Sequence, residues 1–209
     1  MRTLYIVTHP EATHHIDGLV GGWYDSELTA TGREAADRVG ASLRNRIPPG
    51  EHTELYSSDL KRAAPTAEAI GAHLGIPPVF DARLREKSYG VAEGKPQAWL
   101  DERFQTPPRD GERLSHDEGI EGAETMHALA TRIYEVVDEI LERPSHHQVI
   151  CTHGGALTFV AAAFLRLPIE ALQHMRLRAR PGGITVLRED DYFHNRSLVE
   201  LNSIPPQHG

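Results

Sequence analysis

Two short apolar segments, each ending in Thr-His and a turn residue, constrain this chain more than any other feature. The first runs Leu4-Tyr5-Ile6-Val7-Thr8-His9-Pro10 and the second Gln148-Val149-Ile150-Cys151-Thr152-His153-Gly154. Both are β-branched-rich runs of strand length, closed by proline or glycine and followed by helix-compatible sequence. In a parallel α/β sheet, ligands gather beyond the carboxyl ends of the strands, near helix N-termini that favour anions. Two imidazoles delivered to that edge from distant parts of the chain predict one composite site. Each alone reads equally well as a satisfied structural histidine, so it is the matched context that carries the inference.

The remaining pattern alternates strands and helices. A strand over Thr3–Thr8 leads into a polar, Gly-rich loop from Glu11 to Leu28. Thr29 or Thr31 then caps a helix that runs to about Arg46 and is broken by Pro48-Pro49-Gly50. A short strand at Glu54–Ser57 precedes a helix over Leu60–Leu74, stopped at Gly75-Ile76-Pro77-Pro78, and Val79-Phe80 reads as a brief edge strand. Residues 84–122 are charged and broken by Pro107-Pro108 and several glycines. They form an excursion with one helix near Lys95–Phe104, cap-like over the site, within a single domain over 1–209. Apolar positions Met126, Leu129, Ile133, Val136, Val137 and Ile140 predict a long amphipathic helix from Ala123 to Arg143. After the second strand come an apolar helix over Ala156–Arg166 and a hairpin of Gly183–Leu187 with Ser197–Leu201. The fold class is α/β, a three-layer sandwich with a mainly parallel central sheet and helices on both faces.

Charge and composition exclude several classes of function. A net charge of −8 supplies no basic stripe for nucleic acid or an anionic membrane, so any phosphate site needs locally concentrated cations. One cysteine, Cys151, rules out an internal disulfide and a cysteine-based zinc site, and it reads as a buried strand residue. The apolar run Ala156–Leu167 is too short to span a bilayer, and no signal-peptide pattern precedes Leu4, so a cytoplasmic protein is expected. No G-x-G-x-x-G, Walker or G-x-S-x-G motif is present, and no cofactor is called for. His9, His14, His15 and Glu11 lie close enough in sequence to suggest a metal site, but they lack the helical i, i+4 spacing of a zincin; the reading is of no metal.

Several ordered motifs together resemble the histidine phosphatase superfamily, the group that includes the cofactor-dependent phosphoglycerate mutases. Thr8-His9-Pro10-Glu11, Gly22-Trp23-Tyr24-Asp25, Leu28-Thr29 and Gly32 align with the family's opening motif. Ser57-Ser58-Asp59-Leu60-Lys61-Arg62 is similar to its second signature, whose arginine holds phosphate. Leu84-Arg85-Glu86-Lys87 with Glu93-Gly94 matches the segment supplying the proton donor. Gly122-Ala123-Glu124-Thr125 falls where the family has Gly-Glu-Ser, and Thr152-His153-Gly154-Gly155 matches the second-histidine motif.

The resemblance implies a metal-independent phosphomonoesterase working on a small phosphorylated metabolite through a phosphohistidine. Its catalytic residues would be His9 as nucleophile, Glu86 as acid and base, and His153 as stabiliser. Thr8, His15, Arg62 and Gly154 would contact phosphate, and a homodimer is a family-level expectation. These residue types suit the chemistry. Phosphoryl transfer needs an in-line nucleophile, fixed positive charge on the equatorial oxygens and a proton for the leaving oxygen. A neutral imidazole with its other nitrogen tethered to a backbone carbonyl attacks well. An arginine fork grips phosphate bidentately. His153 would help most if protonated.

The chain also departs from the family pattern. Thr8 stands where the family has an arginine that contacts phosphate, and losing such a donor costs on the order of 10²-fold in rate. His14, His15, Arg83 and Arg85 are candidate substitutes, with His15 preferred because relatives carry a phosphate-contacting asparagine there. Pro10 replaces a glycine and removes a backbone donor. Leu19 replaces a mutase arginine, which tilts the reading toward hydrolysis. A catalytically silent anion-binding protein and a phosphomutase remain open alternatives. Lys95, Trp99, Arg103 and Arg109 in the excursion hint at a polar, negatively charged substrate.

Overall fold

The computed structural model describes residues 1–206. In chain order its elements are β1 (Arg2–Thr8), the short helix α1 (Thr13–Asp17), α2 (Ala30–Arg46), β2 (Thr53–Ser57), α3 (Ala64–Leu74), β3 (Val79–Phe80), the short helix α4 (Gln97–Asp101), α5 (Met126–Leu141), β4 (His147–Thr152), α6 (Ala156–Phe164), β5 (Ile184–Glu189) and β6 (Arg196–Ser203). They build one six-stranded sheet in the order β3-β2-β4-β1-β5-β6. The four strands from β3 to β1 run parallel, while β5 is antiparallel to β1, and β6 to β5. The result is the α/β sandwich with a mostly parallel sheet, carrying an antiparallel edge.

Two apolar clusters fill its faces. On one, Leu4, Ile6 and Ile150 pack with α5 and α6; on the other, Tyr5, Val7, Leu55 and Val149 pack with α2 and α3. Alternate residues of β1 thus feed opposite layers, which is why the strand reads as an unbroken apolar run. The α5 stripe Leu129, Ile133, Val136, Val137 and Ile140 is buried along its length, each such side chain gaining roughly 1.5–3 kcal/mol of transfer free energy. A third, small cluster of Val20, Ala92, Leu100 and Ile120 joins the first loop to the 84–122 excursion.

Local chemistry sets the boundaries that differ from the sequence expectation. Thr29, not Thr31, caps α2, its hydroxyl accepting from Gly32 N at 2.9 Å. Helix α3 starts four residues later than periodicity suggests. Ser58 Oγ and Asp25 Oδ1 take the Leu60 and Lys61 amides, holding that stretch as a turn, and Pro65 occupies the first helical turn. The loop after β1 contains a helical turn, α1, closed by Gly18 in the left-handed conformation. Its polar sequence hides it, because the turn buries His14 and not an aliphatic side chain. Strand β4 opens at His147, which pairs between Thr3 and Thr53.

Candidate active site

Strands β1 and β4 are neighbours in register, with Thr8 opposite Thr152. Their carboxyl ends therefore deliver His9 and His153 side by side, the ring centroids 5.0 Å apart and edge to face. Both rings are buried, at 7% and 0% exposure. His9 Nδ1 lies 2.8 Å from the Pro10 carbonyl. A carbonyl only accepts, so Nδ1 carries the proton and Nε2 the lone pair. That lone pair faces Arg62 Nε at 3.2 Å. Burial first, then the Arg62 charge, holds the His9 pKa well below its ordinary value and keeps the ring neutral.

Arg62 is almost fully buried, and its other nitrogens donate to the carbonyls of Tyr24 at 2.8 Å and Gly22 at 2.5 Å. Gly22 sits at φ +59°, and a Cβ there would press on Tyr89 and the Lys87 carbonyl, so the Gly-Trp turn needs a residue without one. Burial lowers the Arg62 pKa to about 10, which leaves it charged at neutral pH. Arg62 is the one permanent cation among the residues lining a chamber of about 300 Å³, with His9, His15, Glu86, Tyr89 and Gly154 around it.

His153 is tethered the other way round. Its Nε2 lies 2.8 Å from Ser58 Oγ, while Nδ1 has no partner. Ser58 Oγ already accepts from Leu60 N, and its own proton has no other acceptor among the described residues. The hydroxyl therefore donates to Nε2, and Nδ1–H is left as a buried, unused donor. The sequence argument preferred a protonated ring. The structure reverses that, because burial and the nearby Arg62 and His9 push the His153 pKa well below its ordinary value.

Glu86 follows a 3₁₀ turn at Ala82–Leu84. Its carboxylate accepts from Lys87 N at 2.9 Å and Gly155 N at 2.8 Å, joining it to the amino end of α6. A Cβ at Gly155 would lie 2.4 Å from Glu86 Oε1, so the second glycine of the His153 motif makes room for this contact. Residues that sequence reasoning did not single out hold the backbone here. Arg132 donates to the carbonyls of Arg83, Arg85 and Glu86 and forms a two-pronged pair with Glu124. Trp23, from the opening motif, donates Nε1–H to the Glu86 carbonyl at 2.7 Å. An arginine on the buried face of α5 at Arg132, in an otherwise apolar stripe, was the available signal.

The candidates for replacing the missing arginine separate clearly. Thr8 spends its hydroxyl proton on the Arg180 carbonyl at 2.6 Å and does not line the chamber. Arg83 is held between Asp81 and Glu139, and Arg85 lies fork to fork with Asp59. His14 is engaged by Ser26 at 2.7 Å, and burial depresses its pKa to about 3. His15 stacks on His9 with centroids 5.7 Å apart and accepts from Ala12 N through Nδ1, leaving Nε2–H to donate. Burial and Arg62 lower its pKa, so it offers a hydrogen bond without a charge. Among the described residues no three His, Cys, Asp or Glu side chains are placed to share a metal ion. Burial raises the Cys151 thiol to about 12, far from nucleophilic. No helix among the described residues is long and apolar enough to cross a membrane.

A neutral histidine, a buried arginine, a second histidine and a carboxylate at the carboxyl edge of a parallel sheet define a phosphoryl-transfer class of site. The model of the histidine phosphatase superfamily (branch 1) matches residues 4–202, and the chain belongs to that superfamily. It is 34% identical over 179 residues to a probable phosphoglycerate mutase, GpmB, of Salmonella paratyphi C, covering 85% of this chain and 81% of that one. Among solved structures, a mycobacterial glucosyl-3-phosphoglycerate phosphatase superposes with a TM-score of 0.77 at 25% identity, covering 97% and 99% of the two chains. Bacillus stearothermophilus YhfR gives 0.73 at 27% identity, covering 95% and 96%.

Proposed function

We propose that this protein is a metal-independent phosphomonoesterase that passes the phosphoryl group through His9. The observation that carries the reading is the tether of His9 Nδ1 to the Pro10 carbonyl, which presents a neutral Nε2 toward Arg62 and the chamber. The Nε2 lone pair attacks phosphorus as the bond to the ester oxygen breaks, and the Glu86 carboxyl gives that oxygen a proton, releasing the alcohol. Water then attacks the phosphohistidine, its proton passing to the Glu86 carboxylate, and inorganic phosphate leaves. Arg62, still charged, turns its donors onto the equatorial oxygens. The unused His153 Nδ1–H and His15 Nε2–H supply further hydrogen bonds. Proton uptake by either imidazole becomes easier once a phosphate dianion is beside it, which partly restores the charge lost at Thr8. Residues 84–122 contribute Glu86, Tyr89, Gln97 and Leu100 to the chamber walls.

The 34% identical relative named as a mutase favours a second reading, phosphoryl exchange between hydroxyls, and Leu19 weighs against it by leaving an apolar residue in the chamber wall. The test is phosphate release from a panel of phosphomonoesters in EDTA by wild type and His9→Ala. Release that survives EDTA and disappears with His9 is the expected result. Exchange without release would mark a mutase, and no turnover at all a silent anion-binding protein.

A further inference from the structure

Beside the phosphate chamber lies a second, larger cavity of about 370 Å³. Glu86 and Tyr89 line both, so these two side chains stand at the junction. The larger cavity is walled mainly by apolar groups, among them Phe104, Leu114, Met126, Phe159, Leu172 and Met175. Its polar wall is largely self-neutralised. Lys87 is buried in an ion pair with Glu118 at 2.7 Å and lies 4.2 Å over the Tyr89 ring. Arg113 donates to the carbonyls of Gln173 and Pro108. Arg176, at the exposed rim beside His174, has no carboxylate or carbonyl partner among the described residues. In a chain with a net charge of −8, an arginine without a carboxylate at a cavity mouth is a free anion contact. By contrast Lys95, Trp99, Arg103 and Arg109, the polar residues that the sequence placed over the substrate, line neither cavity.

We infer that the larger cavity receives the alcohol half of the substrate, and that it selects phosphomonoesters of aryl or similarly bulky apolar alcohols bearing a remote carboxylate. The apolar wall takes the body of the alcohol, Arg176 its distal carboxylate. With the phosphorus in the chamber, the ester oxygen falls at the junction, where Glu86 can protonate it. The Tyr89 hydroxyl, with no hydrogen-bond partner among the described residues, can donate to the same region; burial keeps it a donor, raising its pKa to about 12. This assignment rests on the phosphatase reading only for the identity of the leaving group. Occupancy of the cavity can be measured without turnover.

The test uses three non-hydrolysable phosphonates, methylphosphonate, benzylphosphonate and 4-(phosphonomethyl)benzoate, titrated calorimetrically into wild type and Arg176→Ala. Benzylphosphonate should bind about tenfold or more tighter than methylphosphonate to both proteins, a step of about 1.4 kcal/mol. The carboxylate should add a further gain of about fivefold to tenfold in wild type that vanishes in Arg176→Ala. Methylphosphonate affinity should not change in that variant. Equal binding of methyl and benzyl compounds, a carboxylate gain that survives loss of Arg176, or failure of all three to bind overturns the assignment. The matching phosphate esters are assayed in parallel. Ligands that bind in the expected order while no ester is hydrolysed would sink the phosphatase reading and leave the cavity's specificity standing. Hydrolysis without preference would do the reverse.

Discussion

The tips of β1 and β4 carry the same dipeptide in register, yet the two copies are wired oppositely. At β1 the carbonyl of Pro10 fixes the proton on Nδ1 of His9 and leaves Nε2 as the free lone pair. At β4 the Ser58 hydroxyl takes Nε2 of His153 and leaves Nδ1–H as the free donor. The threonines before them also diverge: Thr8 holds the Arg180 carbonyl and Thr152 the Leu84 carbonyl, two residues before Glu86. A nucleophile needs a lone pair and a transition-state stabiliser needs a donor, so the choice of tethered nitrogen separates two roles that the strand sequence alone leaves identical.

The sharpest way to break this comparison is to remove each ring in turn. His9→Ala should lose about 10⁴-fold or more in phosphate release, since the covalent route is gone. His153→Ala should lose about 10²–10³-fold, the scale of one transition-state donor. Rapid alkaline quench after mixing with substrate, which preserves the N–P bond, should still reveal phosphohistidine in His153→Ala and none in His9→Ala. Phosphohistidine in both, or in neither, would mean that the tethers do not divide the labour.

How far the sequence revealed this arrangement follows from the range of the forces involved. The apolar strands, the α5 stripe and the α2 cap, narrowed to Thr29 or Thr31, are local patterns of period and hydrogen bonding, and they were legible. The motif resemblance brought His9, Arg62, Glu86, His153, His15 and Gly154 to one edge of the sheet on paper, and the folded chain places them around one chamber or, for His153, directly behind it. What stayed hidden depends on partners distant in sequence. Thr8 could be counted as a lost arginine, but its bond to Arg180 spans 172 residues. Arg83 and Arg85 looked like free cations until Glu139 and Asp59 met them. The role of Arg132 stayed hidden because the carbonyls it holds belong to another segment.

Both rings are buried and neutral, and that symmetry is testable by acid. His9 and His153 have folded-state pKa values held below the unfolded value of about 6.5, as does His14, at about 3. Below about pH 6.5 the unfolded chain binds protons that the folded site refuses, so stability falls as pH falls and is fully present above that value. Each such ring contributes up to about 1.4 kcal/mol per pH unit of decline. The thermal midpoint should therefore drop between pH 7 and pH 5, and less steeply when phosphate is bound, since the anion favours protonated imidazoles. A midpoint that holds or rises over this interval would show that the rings are not kept neutral by burial.

The threonines give a smaller and directional effect. Thr152→Val strips the buried Leu84 carbonyl of the hydroxyl that donates to it, at a cost of about 1–3 kcal/mol. It should also lower turnover, because the segment bearing Glu86 loses an anchor. Thr8→Val removes a similar bond, yet the Arg180 carbonyl keeps the Gly183 amide at 2.8 Å, so the loss should be nearer about 0.5–1.5 kcal/mol. Denaturant unfolding of the two variants measures the difference. Equal losses, or unchanged turnover in Thr152→Val, would remove the link from the β4 tip to Glu86.

Ser58→Ala makes the finest cut, because it leaves both rings in place, removing the hydroxyl that fixes the proton on His153 Nδ1 and the acceptor of the Leu60 amide. Without the hydroxyl, Nε2 has no donor facing it, and the Nδ1–H tautomer loses the preference that the serine imposed. A fraction of molecules then present a lone pair where the transferring phosphoryl group needs a donor, and lone pair against phosphate oxygen is repulsive. The expected loss is about tenfold in kcat, or about 1.4 kcal/mol, with the His9 pKa and the yield of phosphohistidine at saturation little altered. Ser58→Thr restores a hydroxyl at the same position and should recover most of the rate. A Ser58→Ala enzyme with full activity would mean that the rest of the site sets the tautomer of His153, and that the serine merely fills the turn between β2 and α3.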